Sequence, residues 1–319
     1  MNFLTEENSL DVSIIIVNYN TKELIFNCLE SIFSHTNGIT FEVIVSDNGS
    51  SDGSIEMLKK DFPKVILIEN GKNLGFGSAN NKALEIAKGK YVFYLNSDTI
   101  LLNNAVKIFF DYFESHAELN IGGLGCNLQD KNGNITYSAG PVSGEFSSAN
   151  ELLKNLWNLL IGCFKICIRH YIFKKPLRTV EKKNEKVGYI SGKVGNISGA
   201  DLFVKNNSFA RFDENYFMYY EETDLELQMT RKGFEFYLIE APEIIHLEGG
   251  SDKKVTYEVL DLATPGKLNL FYSRLYFYKK NKLASAFQLC LMKILTLLIW
   301  LNPIIIKETK KFREKLFLS

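Results

Sequence analysis

The stretch KYVFYLNSD at Lys90–Asp98 is an apolar run that stops abruptly in Asn96-Ser97-Asp98. Tyr91–Leu95 is aromatic and β-branched with no polar alternation, the pattern of a strand buried on both faces of a parallel sheet. An aspartate at the carboxyl end of such a strand stands where open α/β sheets bind their ligands. A carboxylate there is costly to bury unless it meets a cation or a hydrogen-bond donor. Taken alone, the tripeptide also reads as a helix cap, with Asp98 or Thr99 closing a helix near Asn103.

The chain on either side favours the sheet. Val12–Asn18, Phe41–Ser46 and Val65–Ile68 are three further apolar runs of strand length. Between them lie helical spacings at Thr21–Ser34, with Thr21 as cap, at Asp52–Lys60, and at Gly77–Ala87, ended by Gly89. Strands alternating with helices imply βαβ units and a mostly parallel sheet. Downstream, the pattern predicts a helix at Asn103–Ser115, a strand at Ile121–Leu128 and a loop over residues 129–147. Order returns at Gly195–Lys205, then in a helix at Glu222–Lys232 and strands at Phe236–Glu240 and Glu243–Leu247.

With 319 residues, 46% of them hydrophobic and 23% charged, the chain can bury a large core. Its formal net charge of zero argues against a general nucleic-acid binder, which would carry a basic excess. Five scattered cysteines read as reduced thiols of a cytosolic compartment. The polar, acidic start MNFLTEENSLDVS does not read as a signal peptide.

Two segments break the globular pattern. Residues 284–306 are almost continuously apolar, interrupted by Gln288 and Lys293, and a basic tail follows. This suits a helix lying in a membrane interface, a marginal span, since a span needs about 20 apolar residues, or a buried C-terminal helix. Residues 151–178 mix Leu, Trp, Phe and Ile with Lys154, Lys165, Arg169, Lys174, Lys175 and Arg178, the composition of a basic amphipathic surface helix.

Candidate chemistry gathers at a few points. Asp47 ends the second strand as Asp98 follows the fourth, so two carboxylates share one sheet edge; the alternative for Asp47-Asn48-Gly49-Ser50 is a simple turn. Asn73–Asn81 joins the third strand to a helix start, with Gly75 and Gly77 permitting close backbone approach. Glu221, Glu222 and Asp224 crowd another helix start after a run of aromatics. A partly desolvated carboxylate beside others has a raised pKa and suits a general base, though acids at a helix N-terminus are common for dipole reasons alone. His246 ends a strand and would pair with Asp98 in a mixed oxygen–nitrogen metal site. Cys163, Cys167 and His170 form only a partial zinc set.

Seven stretches occur in one order: VSIIIVNYNT (12–21), VIVSDNGSSDGS (43–54), NLGFGSANN (73–81), YLNSDT (94–99), ISGADLFVK (197–205), FDENYFMYYEETDLELQMTRKGF (212–234) and IIHLEGGS (244–251). In them the chain resembles the inverting family 2 glycosyltransferases of GT-A fold, and within these the rhamnosyltransferase-like bacterial enzymes of surface-polysaccharide synthesis. The resemblance implies an α/β, Rossmann-like GT-A domain over 1–250, with an amphipathic insertion at about 150–185, and a helical, membrane-associated region over 251–319. It implies that Asp47 contacts the nucleotide base, with Asn18, Asn73, Gly75 and Asn96 on the donor side. Asp98 and His246 would hold Mg²⁺ or Mn²⁺. Glu222 would be the base, a role that Glu221 or Asp224 could share because the family's second acid is generally Asp. Gln228 stands where relatives often carry Arg. The implied partners are a nucleotide-sugar donor, dTDP-rhamnose or else UDP-galactose or UDP-GlcNAc, and a polyprenyl-diphosphate-linked or oligosaccharide acceptor. The implied place is the cytoplasmic face of a bacterial inner membrane, without nucleic acid. An inactive GT-A scaffold or glycan-binding module is the alternative in kind.

Overall fold

The computed structural model describes residues 10–140, 148–181, 188–247, 255–257, 262 and 264–306. The acidic N-terminal segment, most of the lysine-rich stretch at 181–186 and the basic C-terminal tail lie outside them. The chain divides into two compact units. The first comprises Met1–Gly144, Asn184–Phe217 and Glu221–Ser251; the second comprises Glu145–Lys183, Met218–Tyr220 and Asp252–Ser319.

The first unit opens with β1 (Val12–Asn18), α1 (Lys22–His35), β2 (Phe41–Asp47), α2 (Ser54–Asp61), β3 (Ile66–Glu69), α3 (Phe76–Leu84) and β4 (Tyr91–Asn96). It continues with β5 (Thr99–Leu101), α4 (Ala105–Ser115), β6 (Ile121–Cys126) and β7 (Ala139–Gly140). The second unit supplies α5 (Ala149–Cys167), a π-helical turn at Ile168–Ile172 and β8 (Thr179–Glu181). The first then resumes with β9 (Gly192–Val194), β10 (Asn196–Ile197), β11 (Asp201–Lys205), α6 (Glu221–Thr230), β12 (Glu235–Ile239) and β13 (Ile244–His246). Finally the second unit adds β14 (Val255–Tyr257), α7 (Pro265–Lys280) and α8 (Ala286–Trp300).

Eight strands form one sheet in the order β3-β2-β1-β4-β11-β6-β12-β9. The first four run parallel, as do β6 and β12; β11 runs antiparallel between β4 and β6, and β9 closes the far edge antiparallel. The two-residue period of a strand divides the apolar runs between two cores. Val12, Ile14, Ile16, Val43, Val45, Tyr91, Phe93 and Leu95 enter the layer with α1, α2 and α4. Ile15, Ile44, Val92 and Tyr94 face the opposite layer, with Leu225 and Met229 of α6. Phe203 on β11 sits within 5.8 Å, centroid to centroid, of Tyr91, Phe93, Phe109 and Phe113. Truncating such a residue to alanine costs about 3–5 kcal/mol.

Several local expectations are corrected. Thr21 is the N-cap residue of α1 but makes no capping bond, because its hydroxyl donates to Asn18 Oδ1 at 2.7 Å and meets Ser97 Oγ at 3.0 Å. Neither Asp98 nor Thr99 caps a helix: Thr99 begins β5, and α4 starts after Asn104. Helix α3 ends at Leu84, before Gly89, because Ile86 and Ala87 bond three residues back and tighten the turn. Gly89 instead donates its N–H to Ser13 Oγ.

In the second unit α5 packs on α8, and α8 on α7. Ser148 caps α5, Thr264 caps α7 ahead of Pro265, and Ser285 with Gln288 forms a capping box on α8. Leu152, Leu156 and Cys163 of α5 are buried, as are Met292, Leu295 and Ile299 of α8. Helix α8 has 15 residues, about 22 Å at 1.5 Å per residue. No helix among the described residues is long and apolar enough to cross a membrane.

Candidate active site

The site is built on the carboxyl ends of β1, β2 and β4. Register places Asn18 beside Asp47 and Val17 beside Asn96, so all three strands end at one edge. Asp47 is fully buried, and its carboxylate is already in use: Oδ2 accepts from Asn18 Nδ2 at 2.7 Å, and Oδ1 accepts from the N–H groups of Gly49 and Ser50 at 3.0 and 2.8 Å. Asp47 therefore holds the loop after β2 in shape. Asn73 acts likewise on the next loop, its Oδ1 accepting from Gly75 N–H at 2.9 Å, while the Gly75 carbonyl accepts from Asn48 Nδ2 at 3.1 Å. Asn18, Asp47, Asn73 and Gly75 thus form one connected wall.

Beyond β4 the chain turns into β5, whose antiparallel partner β13 sets His246 opposite Thr99. That pairing brings His246 Nε2 to 3.2 Å from Asp98 Oδ1 and 3.5 Å from Asn96 Nδ2. The Asp98 and His246 side chains are 19% and 13% exposed, so both are largely shielded from bulk water without being sealed from it. A hard-oxygen and an imidazole-nitrogen donor converging at this distance fit a divalent cation of the Mg²⁺ or Mn²⁺ type, with nitrogen favouring Mn²⁺. Among the described residues no group of three or more His, Cys, Asp or Glu side chains is arranged to hold a metal. A cation here would have two protein ligands and need oxygens from a bound ligand. Cys163, Cys167 and His170 do not assemble; His170 Nδ1 meets the Lys175 carbonyl at 3.1 Å.

The acids of α6 stand on the same unit. Glu221 and Asp224 are buried and Glu222 is partly so. Burial raises the pKa of Glu221 well above the ordinary value, and the neighbouring charge of Glu222 raises it further. Burial also raises Glu222, against its backbone hydrogen bonds. One carboxylate oxygen of each is buried and accepts no hydrogen bond. Burial thus holds both carboxyls above the ordinary range, which suits a group that takes up a proton.

A turn links the two groupings. A Cβ at Gly199 would lie 3.6 Å from Glu222 Cγ, ordinary van der Waals contact, so this turn packs against the acid. The next residue, Ala200, accepts a 3.0 Å hydrogen bond from Asn96 N–H. Two acids absent from the sequence-based candidates lie beneath this turn. Asp201 is wholly buried and accepts from Cys126 N–H at 2.7 Å; burial pushes its carboxyl up to about 8, against that hydrogen bond and the charge of His246. Glu226, one turn after Glu222, accepts from Ile197 N–H at 2.9 Å; burial and the charges of Glu222 and Asp201 raise its pKa well above the ordinary value. The available signals were an aspartate heading the apolar run DLFVK and the four-residue spacing of Glu222 and Glu226.

Comparison with known proteins bears on this arrangement. Residues 13–175, just over half of the chain, match the family described as Glycosyl transferase family 2. An uncharacterized glycosyltransferase of Methanocaldococcus jannaschii is 32% identical over 144 residues, 44% of this chain and 50% of its own length. An N-acetylglucosaminyl-diphospho-decaprenol L-rhamnosyltransferase of Mycobacterium tuberculosis is 25% identical over 218 residues, 64% of this chain and 66% of its own. The chain thus spans between half and two thirds of the length of these two curated relatives. Among solved structures, a mannosyltransferase of Pyrobaculum calidifontis in complex with GDP-Man and Mn²⁺ superposes with a TM-score of 0.51 at 13% identity, covering 95% of this chain and 73% of that one. At that identity the likeness is one of fold.

Proposed function

Because this chain belongs to glycosyl transferase family 2, we propose that it moves a sugar from a nucleoside-diphosphate donor to a hydroxyl of a lipid-linked or growing surface-polysaccharide acceptor, with inversion. The observation that carries this reading is the pairing, through the Ser198–Asp201 turn, of the Asp98–His246 corner with the acids of α6. One grouping is suited to a leaving group that gathers negative charge, the other to taking a proton.

In this mechanism the wall formed by Asn18, Asp47, Asn73 and Gly75 receives the nucleotide. Asp98 and His246 would hold a divalent cation, which when bound offsets the charge developing on the diphosphate. Asn96 stands beside this corner at the end of β4. Glu222 accepts the proton of the acceptor hydroxyl as that oxygen attacks the anomeric carbon. Attack from the face opposite the diphosphate breaks the glycosidic bond in a single displacement, which inverts the centre.

We propose dTDP-rhamnose as donor and a polyprenyl-diphosphate-linked sugar as acceptor, supported by the mycobacterial relative, which is named for rhamnosyl transfer to such a lipid. The second unit supports a site on the cytoplasmic face of a membrane. It exposes Trp157, Phe164, Ile172 and Phe173 beside Lys165, Lys174 and Lys175.

The experiment is a donor screen reading nucleoside-diphosphate release with dTDP-rhamnose, UDP-galactose and UDP-GlcNAc, each with and without EDTA. EDTA-sensitive release from one donor is expected; no release from any donor, with acceptor lipid present, would sink the reading in favour of a non-catalytic module.

A further inference from the structure

We propose that the groove between α7 and α8 is the seat of the acceptor's lipid chain, with Lys279 and Lys293 at its rim binding the phosphate that the lipid carries. This rests on the lipid-linked acceptor proposed above and names a binding site for it. The groove encloses about 430 Å³, within the 300–1,000 Å³ range of ligand pockets. Phe271 and Leu275 of α7 and Leu289, Leu297 and Trp300 of α8 line it. From Leu289 to Trp300 it follows twelve residues of α8, about 16 Å of helix.

Charge selects the occupant. The lining contains two lysines and no carboxylate. Both lysines are exposed, and neither side chain makes an ion pair or hydrogen bond among the described residues. Lys279 is the last residue but one of α7 and Lys293 the middle residue of α8, so each lies nearer the connection between the helices than Phe271 and Trp300, whose ring centroids are 6.4 Å apart. A ligand with an anionic head and a long hydrocarbon tail matches that polarity. The chain's own tail KETKKFREK is cationic and would set like charge against the two lysines. Leu297, 63% exposed, and Tyr272, 70% exposed, are left facing water at the groove, apolar surface that a hydrocarbon chain would cover.

The test uses the full-length protein and farnesyl phosphate below its micellar concentration, with farnesol and inorganic phosphate as separate arms. Equilibrium dialysis reads binding. Trp157 and Trp300 are the chain's two tryptophans, so emission in a Trp157→Phe background reports on the groove. Saturable binding that shifts Trp300 emission is expected, weakened about tenfold in K279A/K293A through loss of the charge-assisted contacts. Farnesol should bind the parent and the double variant alike, and inorganic phosphate should not shift Trp300. Absence of farnesyl phosphate binding, binding that leaves Trp300 emission unmoved, or an unchanged Kd in the double variant would each overturn the proposal. Donor turnover on the same preparation separates the two ideas: release of nucleoside diphosphate without lipid binding removes the groove alone, and lipid binding without any donor turnover removes the proposed reaction.

Discussion

Asp98 Oδ1 lies 3.2 Å from His246 Nε2, although the two residues are 148 positions apart in the sequence. The contact is produced by a three-residue antiparallel pairing of β5 with β13, reinforced by Leu247 N–H donating to the Asp98 carbonyl at 2.9 Å. Backbone pairing on both sides of the two side chains fixes their approach before any ligand arrives, so each limits where the other can point.

Asp98→Ala should abolish metal-dependent donor turnover, while His246→Ala should leave a remnant that needs about 10–100 times more Mn²⁺. Nucleoside-diphosphate release measured across a Mn²⁺ titration checks this. Full activity of Asp98→Ala in the presence of EDTA would refute the metal role.

The acid pair on α6 predicts an asymmetry. Glu222→Gln should lower kcat by about 10²–10⁴, whereas Glu221→Gln, which leaves the proposed base in place, should retain most of it. A base works ionised, and burial raises Glu222, so kcat/KM should rise with pH along a limb above the ordinary glutamate value of about 4.3. In Glu221→Gln that limb should stay nearly in place. A collapse of kcat in Glu221→Gln with Glu222→Gln unharmed would reverse the assignment.

The sheet and the acidic candidates could be read from local pattern because each depends on residues close in sequence: β1 and β4 are apolar runs, and Glu221 and Glu222 follow an aromatic run directly. What escaped depends on distant partners. Asp201 looks like an ordinary polar strand start until Cys126 N–H, 75 positions away, draws its carboxylate inward. Thr21 fits a helix cap until Asn18 and Ser97 claim its hydroxyl. The Asp47 oxygens accept from Asn18, Gly49 and Ser50, loop-shaping contacts that the strand-end position alone does not reveal.

Asp201 makes stability depend on pH. Its folded-state pKa of about 8 lies above the unfolded value of about 3.9. The fold therefore prefers the protonated acid, and this contribution is complete below pH ~4 and lost as pH rises toward 8. Asp201→Asn, neutral throughout, should gain on the parent by about 1–3 kcal/mol between pH 5 and pH 8. Denaturant unfolding at each pH reads the gap, and a constant difference would contradict the buried protonated acid.

Two glycines separate backbone strain from steric conflict in the loop between β3 and α3. Gly75 and Gly71 have φ of +87° and +69°, both in the region that favours glycine. A Cβ at Gly75 would lie 2.2 Å from the Phe217 carbonyl oxygen, which accepts from Phe76 N–H at 3.0 Å, whereas a Cβ at Gly71 would meet nothing within 4 Å. Gly71→Ala should therefore cost only the conformational term, about 1 kcal/mol. Gly75→Ala should cost about 2–4 kcal/mol, because the start of α3 must move off Phe217. The same displacement disturbs the Gly75 carbonyl that Asn48 holds, so Gly75→Ala should also raise the donor KM while Gly71→Ala leaves it alone. Equal losses in urea unfolding for the two variants would show that φ alone, and not the approach to Phe217, makes glycine necessary at position 75.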